Sequence, residues 1–164
     1  METIDLLRSG QLAGTKRLTL SADLTQFPSE IFALADSLEI LDLSKNRLQR
    51  LPDEFGRLQK LKIVFLSNND FEEVPEILSQ CPQLYMVGFK SNRITAIPDR
   101  ALPPSVRWLI LTDNRIEQLP ASIGQLVKLQ KLMLAGNRLR SLPDEMSTCQ
   151  NLELIRLAAN QLTT

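Results

Sequence analysis

The chain has no histidine among its 164 residues. That removes the commonest general base, along with every Ser-His or Cys-His arrangement. Cysteine is nearly absent too: Cys81 and Cys149 alone make no disulfide framework, and without co-ligands they make no metal site. No apolar run approaches the ~18 residues of a membrane-crossing helix. The opening Met1-Glu2-Thr3-Ile4-Asp5 is acidic and lacks an apolar signal region. Neither sign of charge dominates, since 19 basic residues balance 19 acidic ones. A general nucleic-acid binder needs a positive field, so nucleic acid is a disfavoured partner. No glycine-rich phosphate loop and no nucleophile elbow occurs. These absences lead to the expectation of a cytoplasmic protein in a reducing environment. It is expected to use no cofactor and no metal, to have no membrane partner and not to be an enzyme.

What is present is a repeat. Leu38-x-x-Leu41-x-Leu43-x-x-Asn46-x-Leu48-x-x-Leu51-Pro52 is one copy. The same spacing returns at Leu61-Val64-Leu66-Asn69-Phe71-Val74-Pro75 and at Leu84-Val87-Phe89-Asn92-Ile94-Ile97-Pro98. It returns again at Val106-Leu109-Leu111-Asn114-Ile116-Leu119-Pro120 and at Leu129-Leu132-Leu134-Asn137-Leu139-Leu142-Pro143. A last, incomplete copy holds Leu152, Ile155, Leu157, Asn160 and Leu162. A degenerate first copy (Leu18, Leu20, Asp23, Leu24, Phe27, Pro28) carries Asp where Asn is expected. The period is 23 residues, with one step of 22 between Asn92 and Asn114. A fixed period in this range marks a stacked, quasi-one-dimensional architecture.

The pattern resembles the leucine-rich-repeat family over roughly residues 15–164, and its Leu-Pro form resembles the intracellular, Ras-suppressor-like subgroup. More narrowly, Met86-Val87-Gly88-Phe89-Lys90, Trp108 to Arg115 and Leu132 to Leu139 look like the N-terminal repeats of bacterial leucine-rich-repeat protein kinases. The resemblance implies an α/β, right-handed solenoid. About seven short parallel strands would line its concave face, with short helices, 3-10 turns or loops on the convex side. It also implies a protein partner. That partner is either a kinase domain elsewhere in the parent chain or a separate signalling protein.

The residues themselves say why such a coil forms. Alternation around each Leu-x-Leu gives a strand with one buried and one open face. The Asn ladder (Asn46, Asn69, Asn92, Asn114, Asn137, Asn160) supplies both donor and acceptor to backbone left inside a sharp turn. Proline followed by acids suits the first turn of a short helix, from which Phe55, Leu78, Ile123 and Met146 point inward. Pro103-Pro104 makes the fourth connection more extended. Residues 1–14 fall outside the repeat and are expected to form a helical cap, with Thr3 as N-cap and Gly10 ending it. No polar cap is visible after Leu162, so a longer parent chain is expected, and self-association through the last strand is a second expectation. Cys81 and Cys149 share one column and read as core thiols about three coils apart, too far for a disulfide.

Function is expected on the open face of the sheet. Its two columns are Arg17, Ile40, Ile63, Met86, Trp108, Lys131, Leu154 and Thr19, Asp42, Phe65, Gly88, Ile110, Met133, Arg156. Ile40, Ile63, Phe65, Met86, Trp108, Ile110, Met133 and Leu154 are apolar, which is unusual for a solvated face and marks a partner-binding patch. Gly88 reads as a gap in the row, and Lys45, Asn68, Lys90, Ser91 and Asp113 as a polar rim. An arginine column, Arg47, Arg93, Arg115 and Arg138, interrupted by Asp70, reads as a solubilising edge or an acidic-partner site. Besides a kinase-linked module, two alternatives fit: a free scaffold for small GTPases, and the repeat region of a bacterial effector carrying a separate enzymatic domain.

Overall fold

Three-residue strands recur once per period, because the x-Leu-x segment around the first leucine of each Leu-x-Leu is buried on one side and open on the other. A computed structural model describes residues 2–163; Met1 and Thr164, the outer ends of the expected cap and repeat regions, lie outside the described residues. The strands are β1 Arg17–Thr19, β2 Ile40–Asp42, β3 Ile63–Phe65, β4 Met86–Gly88, β5 Trp108–Ile110, β6 Lys131–Met133 and β7 Leu154–Arg156. They form one parallel sheet in chain order. The register aligns Leu18, Leu41, Val64, Val87, Leu109, Leu132 and Ile155 in a single row. All of that row is buried except Ile155, which is half-buried on the last coil. Each coil thus covers the apolar face of its neighbour, which no coil could bury alone.

The convex connections are 3-10 turns: Ser29–Leu34, Asp53–Arg57, Glu76–Gln80, Ala121–Gln125 and Asp144–Thr148. A proline stands at the N-cap of each: Pro28, Pro52, Pro75, Pro120 and Pro143. Its fixed φ pre-sets the turn and its missing N–H has no helical acceptor to lose. Phe55, Leu78 and Ile123 point inward and are buried, while Met146 is half-buried. The fourth connection has no helix, as Pro103-Pro104 requires. Ala101, Leu102 and Pro103 fill the space instead, in the coil that is one residue short.

The ladder closes the inside of every coil. Asn92 Oδ1 accepts the Phe71 N–H at 3.0 Å, and its Nδ2 donates to Leu66 O at 2.9 Å and Phe89 O at 3.0 Å. Asn69, Asn114, Asn137 and Asn160 repeat the scheme toward Leu48, Ile94, Ile116 and Leu139. Asn46 serves the degenerate first coil differently, accepting from both Ala22 and Leu24. No buried side-chain N or O among the described residues lacks a partner. The residue before each ladder Asn is left-handed: Lys45, Asn68, Ser91, Asp113, Gly136 and Ala159. In the first coil that conformation falls one place later, on Asp23 itself. Glycine adopts that conformation at Gly136 without strain, and a Cβ there would displace the exposed Asp113 carboxylate.

Helix α1, Thr3–Arg8, lays Leu7 onto the first coil, where it is buried. Thr3 is the first helical residue and not the N-cap. Glu2 holds the cap position, and no side chain caps the helix. Gly10, at φ 80°, ends it as expected, with Gln11 N–H donating to Leu6 O and Gly10 N–H to Leu7 O. Cys81 and Cys149 are buried and unpaired, each thiol donating to a carbonyl one coil back, that of Phe55 and that of Ile123.

Candidate functional site

Parallel pairing sets the two open columns as rows across the sheet. Ile40, Ile63, Met86, Trp108, Lys131 and Leu154 stand side by side, and so do Asp42, Phe65, Gly88, Ile110, Met133 and Arg156. Strand spacing of about 4.8 Å brings each side chain within reach of the next. Seven of the eight expected apolar members therefore adjoin one another, Leu154 standing beyond Lys131, and all eight are half-buried. None is as exposed as Val127 at 50% or Leu162 at 40%, which lie elsewhere. The face is an apolar band whose side chains shelter one another, still open to a partner on one side.

One expected feature is corrected. Gly88 leaves no gap, because the Phe65 ring lies over it: a Cβ built there would stand 3.0 Å from Phe65 Cδ1. Gly88 is buried, and its lack of a side chain lets the ring lie flat toward β4.

Trp108 is the most heavily positioned residue of the band. Its indole N–H donates to Gln130 Oε1 at 3.3 Å. Tyr85 meets it edge-on with centroids 6.2 Å apart, and Lys131 Nζ lies 4.9 Å from its ring centre. A cation held against an indole face is favoured by the ring quadrupole. Sequence reasoning had missed Tyr85 and Gln130. Both occupy the column just before the strands, with Lys16, Glu39, Lys62, Arg107 and Glu153, and that shared offset was the available signal. In that column Lys62 pairs with Glu39 at 2.9 Å and Lys16 approaches it at 4.0 Å. The Lys62 hydrogen bond holds the Glu39 carboxyl below its ordinary value.

Of the expected rim, Lys45, Asn68, Lys90 and Asp113 are exposed and Ser91 is half-buried, all just beyond the strands. The arginine column runs along this turn edge, away from the sheet face, with all four side chains exposed. The interrupting Asp70 pairs with Arg93 at 3.5 Å. Arg47 and Asp70 border an open hollow of about 530 Å³ together with Arg50 and Phe27.

A family model described as leucine rich repeat matches residues 13–71, 82–139 and 104–162. No curated protein matches the chain. Solved structures do. The Drosophila Toll–Spatzle complex is similar at 28% identity and TM-score 0.79, over 90% of this chain and 20% of that one. The plant peptide hormone receptor RGFR1, in complex with RGF2, is similar at 36% identity and TM-score 0.75, over 87% of this chain and 24% of that one. The repeat domain of the type III effector XopL is similar at 26% identity and TM-score 0.81, over 96% of this chain and 56% of that one. The chain thus spans about a fifth to a little over half of these structures.

Proposed function

The chain belongs to the leucine-rich-repeat family, and from that premise we propose that it is a protein-interaction module whose concave sheet docks a protein partner. The observation that carries this reading is the contiguous apolar band from Ile63 to Met133, built around a Trp108 held in place by Gln130, Lys131 and Tyr85. A pre-positioned aromatic anchor costs little entropy on binding, and such residues dominate interface energetics. Two of the similar structures are complexes, Toll with Spatzle and RGFR1 with RGF2, which supports the same use of a coil of this kind.

More narrowly, we assign the module to the cytosol, regulating or recruiting substrates for a kinase domain in its parent protein; the resemblance of its repeats to those of bacterial repeat kinases supports this. The likeness to the XopL repeat domain favours a second reading, the repeat region of an effector with a different enzymatic domain. Sequencing the parent gene through both ends separates them: a nucleotide-binding kinase lobe supports the first, another catalytic domain the second. Docking itself is tested by Phe65→Ala and Trp108→Ala, assayed against the partner domain so identified. Both should lower affinity by roughly tenfold or more while the melting temperature changes little. Unchanged affinity would sink the concave-face reading.

A further inference from the structure

The apolar band is not symmetric in charge, although the whole chain is neutral. On the β1–β2 side its cations, among them an Arg17 that forms no ion pair with a described residue, stand beside carboxylates that are already engaged. Glu39 is held between Lys62 and Lys16, and Asp42 accepts the Ser44 N–H at 3.0 Å. On the β6–β7 side Lys131 and Arg156 occupy the two open columns, and no carboxylate shares those columns on β4 to β7. Among the described residues neither forms an ion pair, and nor does the exposed Lys90 beyond β4. Asp113 stands in the turn beyond β5, and Glu153 lies in the column just before β7, where it pairs with neither cation.

We propose that the occupant of the concave face is an acidic amphipathic protein segment. Its apolar anchors cover Phe65, Trp108 and Ile110, and its carboxylates meet Lys131 and Arg156. The inference rests on the docking role of the concave face. Lys131 carries most of it, because its ammonium lies against the Trp108 ring and not out in bulk water. An incoming carboxylate there gains an ion pair that the closing interface shields from solvent, while apolar side chains cover the same indole. Arg156 pairs in register with Met133, so the second cation also adjoins an apolar contact. From β3 to β7 the face spans four strand spacings, about 19 Å, which fits roughly six extended residues or about 13 helical ones.

The test is a selection of random 16-residue displayed peptides on the immobilised chain. The affinities of the selected peptides are then measured in solution by fluorescence anisotropy. The expected peptides carry Asp or Glu beside Leu, Phe or Trp, and they bind more weakly as salt rises. The double variant Lys131→Glu/Arg156→Glu should lose roughly tenfold or more, and peptides with Lys in place of their acids should recover binding to it. Circular dichroism melts confirm that each variant is folded, and Lys131→Met/Arg156→Met gives a neutral control that should lose less. Peptides without acids, or no loss on charge reversal while Phe65→Ala abolishes binding, would overturn the acidic segment and leave the docking reading intact. Peptides indifferent to both changes, or no selected peptide at all, would overturn both.

Discussion

Asn92 reaches across to the preceding coil and accepts the backbone N–H of Phe71 at 3.0 Å, while its own amide holds two carbonyls, Leu66 and Phe89. The Phe71 N–H depends on Asn92, whereas Asn69 and Asn114 also donate to those carbonyls, at 3.1 Å to Leu66 O and 2.9 Å to Phe89 O, so neighbouring amides share the inside of the turn.

Removing the Asn92 amide should be costly. Asn92→Ala strands the buried Phe71 N–H and leaves Leu66 O and Phe89 O with one ladder donor each, so a loss of about 1 to 3 kcal/mol is expected in urea unfolding. Asn160→Ala, on the half-buried last coil, should lose less because water can reach its partners. Equal losses would mean that the ladder is not held by desolvated hydrogen bonds.

Gly88 and Phe65 give a prediction for the concave face. Gly88→Ala puts a methyl 3.0 Å from Phe65 Cδ1, so the ring must give by a few tenths of an ångström. The ring is half-buried and can give toward solvent, so stability should change by about 1 kcal/mol. Affinity for concave-face ligands should nevertheless fall, because the ring is displaced from the band. Thermal melts and anisotropy on the same variant separate the two effects; full affinity with a moved Phe65 would remove that residue from the contact.

Burial pushes the Cys81 thiol up to about 11 from its ordinary value of 9.0. Cys149 is raised as well, by the same desolvation. The folded value exceeds the unfolded one, so the stabilising effect is complete below pH 9 and drains away as pH rises toward 11. Unfolding free energy should fall by about 2 kcal/mol over that window, and by less in Cys81→Ala. At pH 8 a disulfide reagent should label Cys149 before Cys81, since Cys149 is 5% exposed and Cys81 is fully buried. Prompt labelling of Cys81 would refute its burial.

The number, order and register of the strands were legible, because a period-two alternation inside a 23-residue period leaves one register that turns the strand leucines inward, although each strand stops before the second leucine of its copy. The missing turn at Pro103-Pro104 was legible for the same local reason, as was Gly10 at the end of α1. The N-cap was not: Thr3 has the right chemistry, but the helix begins one residue earlier than a threonine cap would allow. The band's members could be named from spacing alone, yet Gly88 was misread. Whether an absent side chain leaves space depends on where a neighbour's ring lies, and Phe65 had two directions open to it. Tyr85 and Gln130 were missed because they sit outside the alternation and reach Trp108 only through long side chains.

The ladder has one more consequence. Each amide serves its own coil and the one before it in nearly the same way from Asn69 to Asn160. Cutting out or inserting a full 23-residue unit would leave matching joins on both sides. The distance between Phe65 and Trp108 is therefore adjustable in whole steps, without redesigning the interior. A lineage of such chains could fit partners of different size by changing a count, much as a wrench is chosen from a graded set.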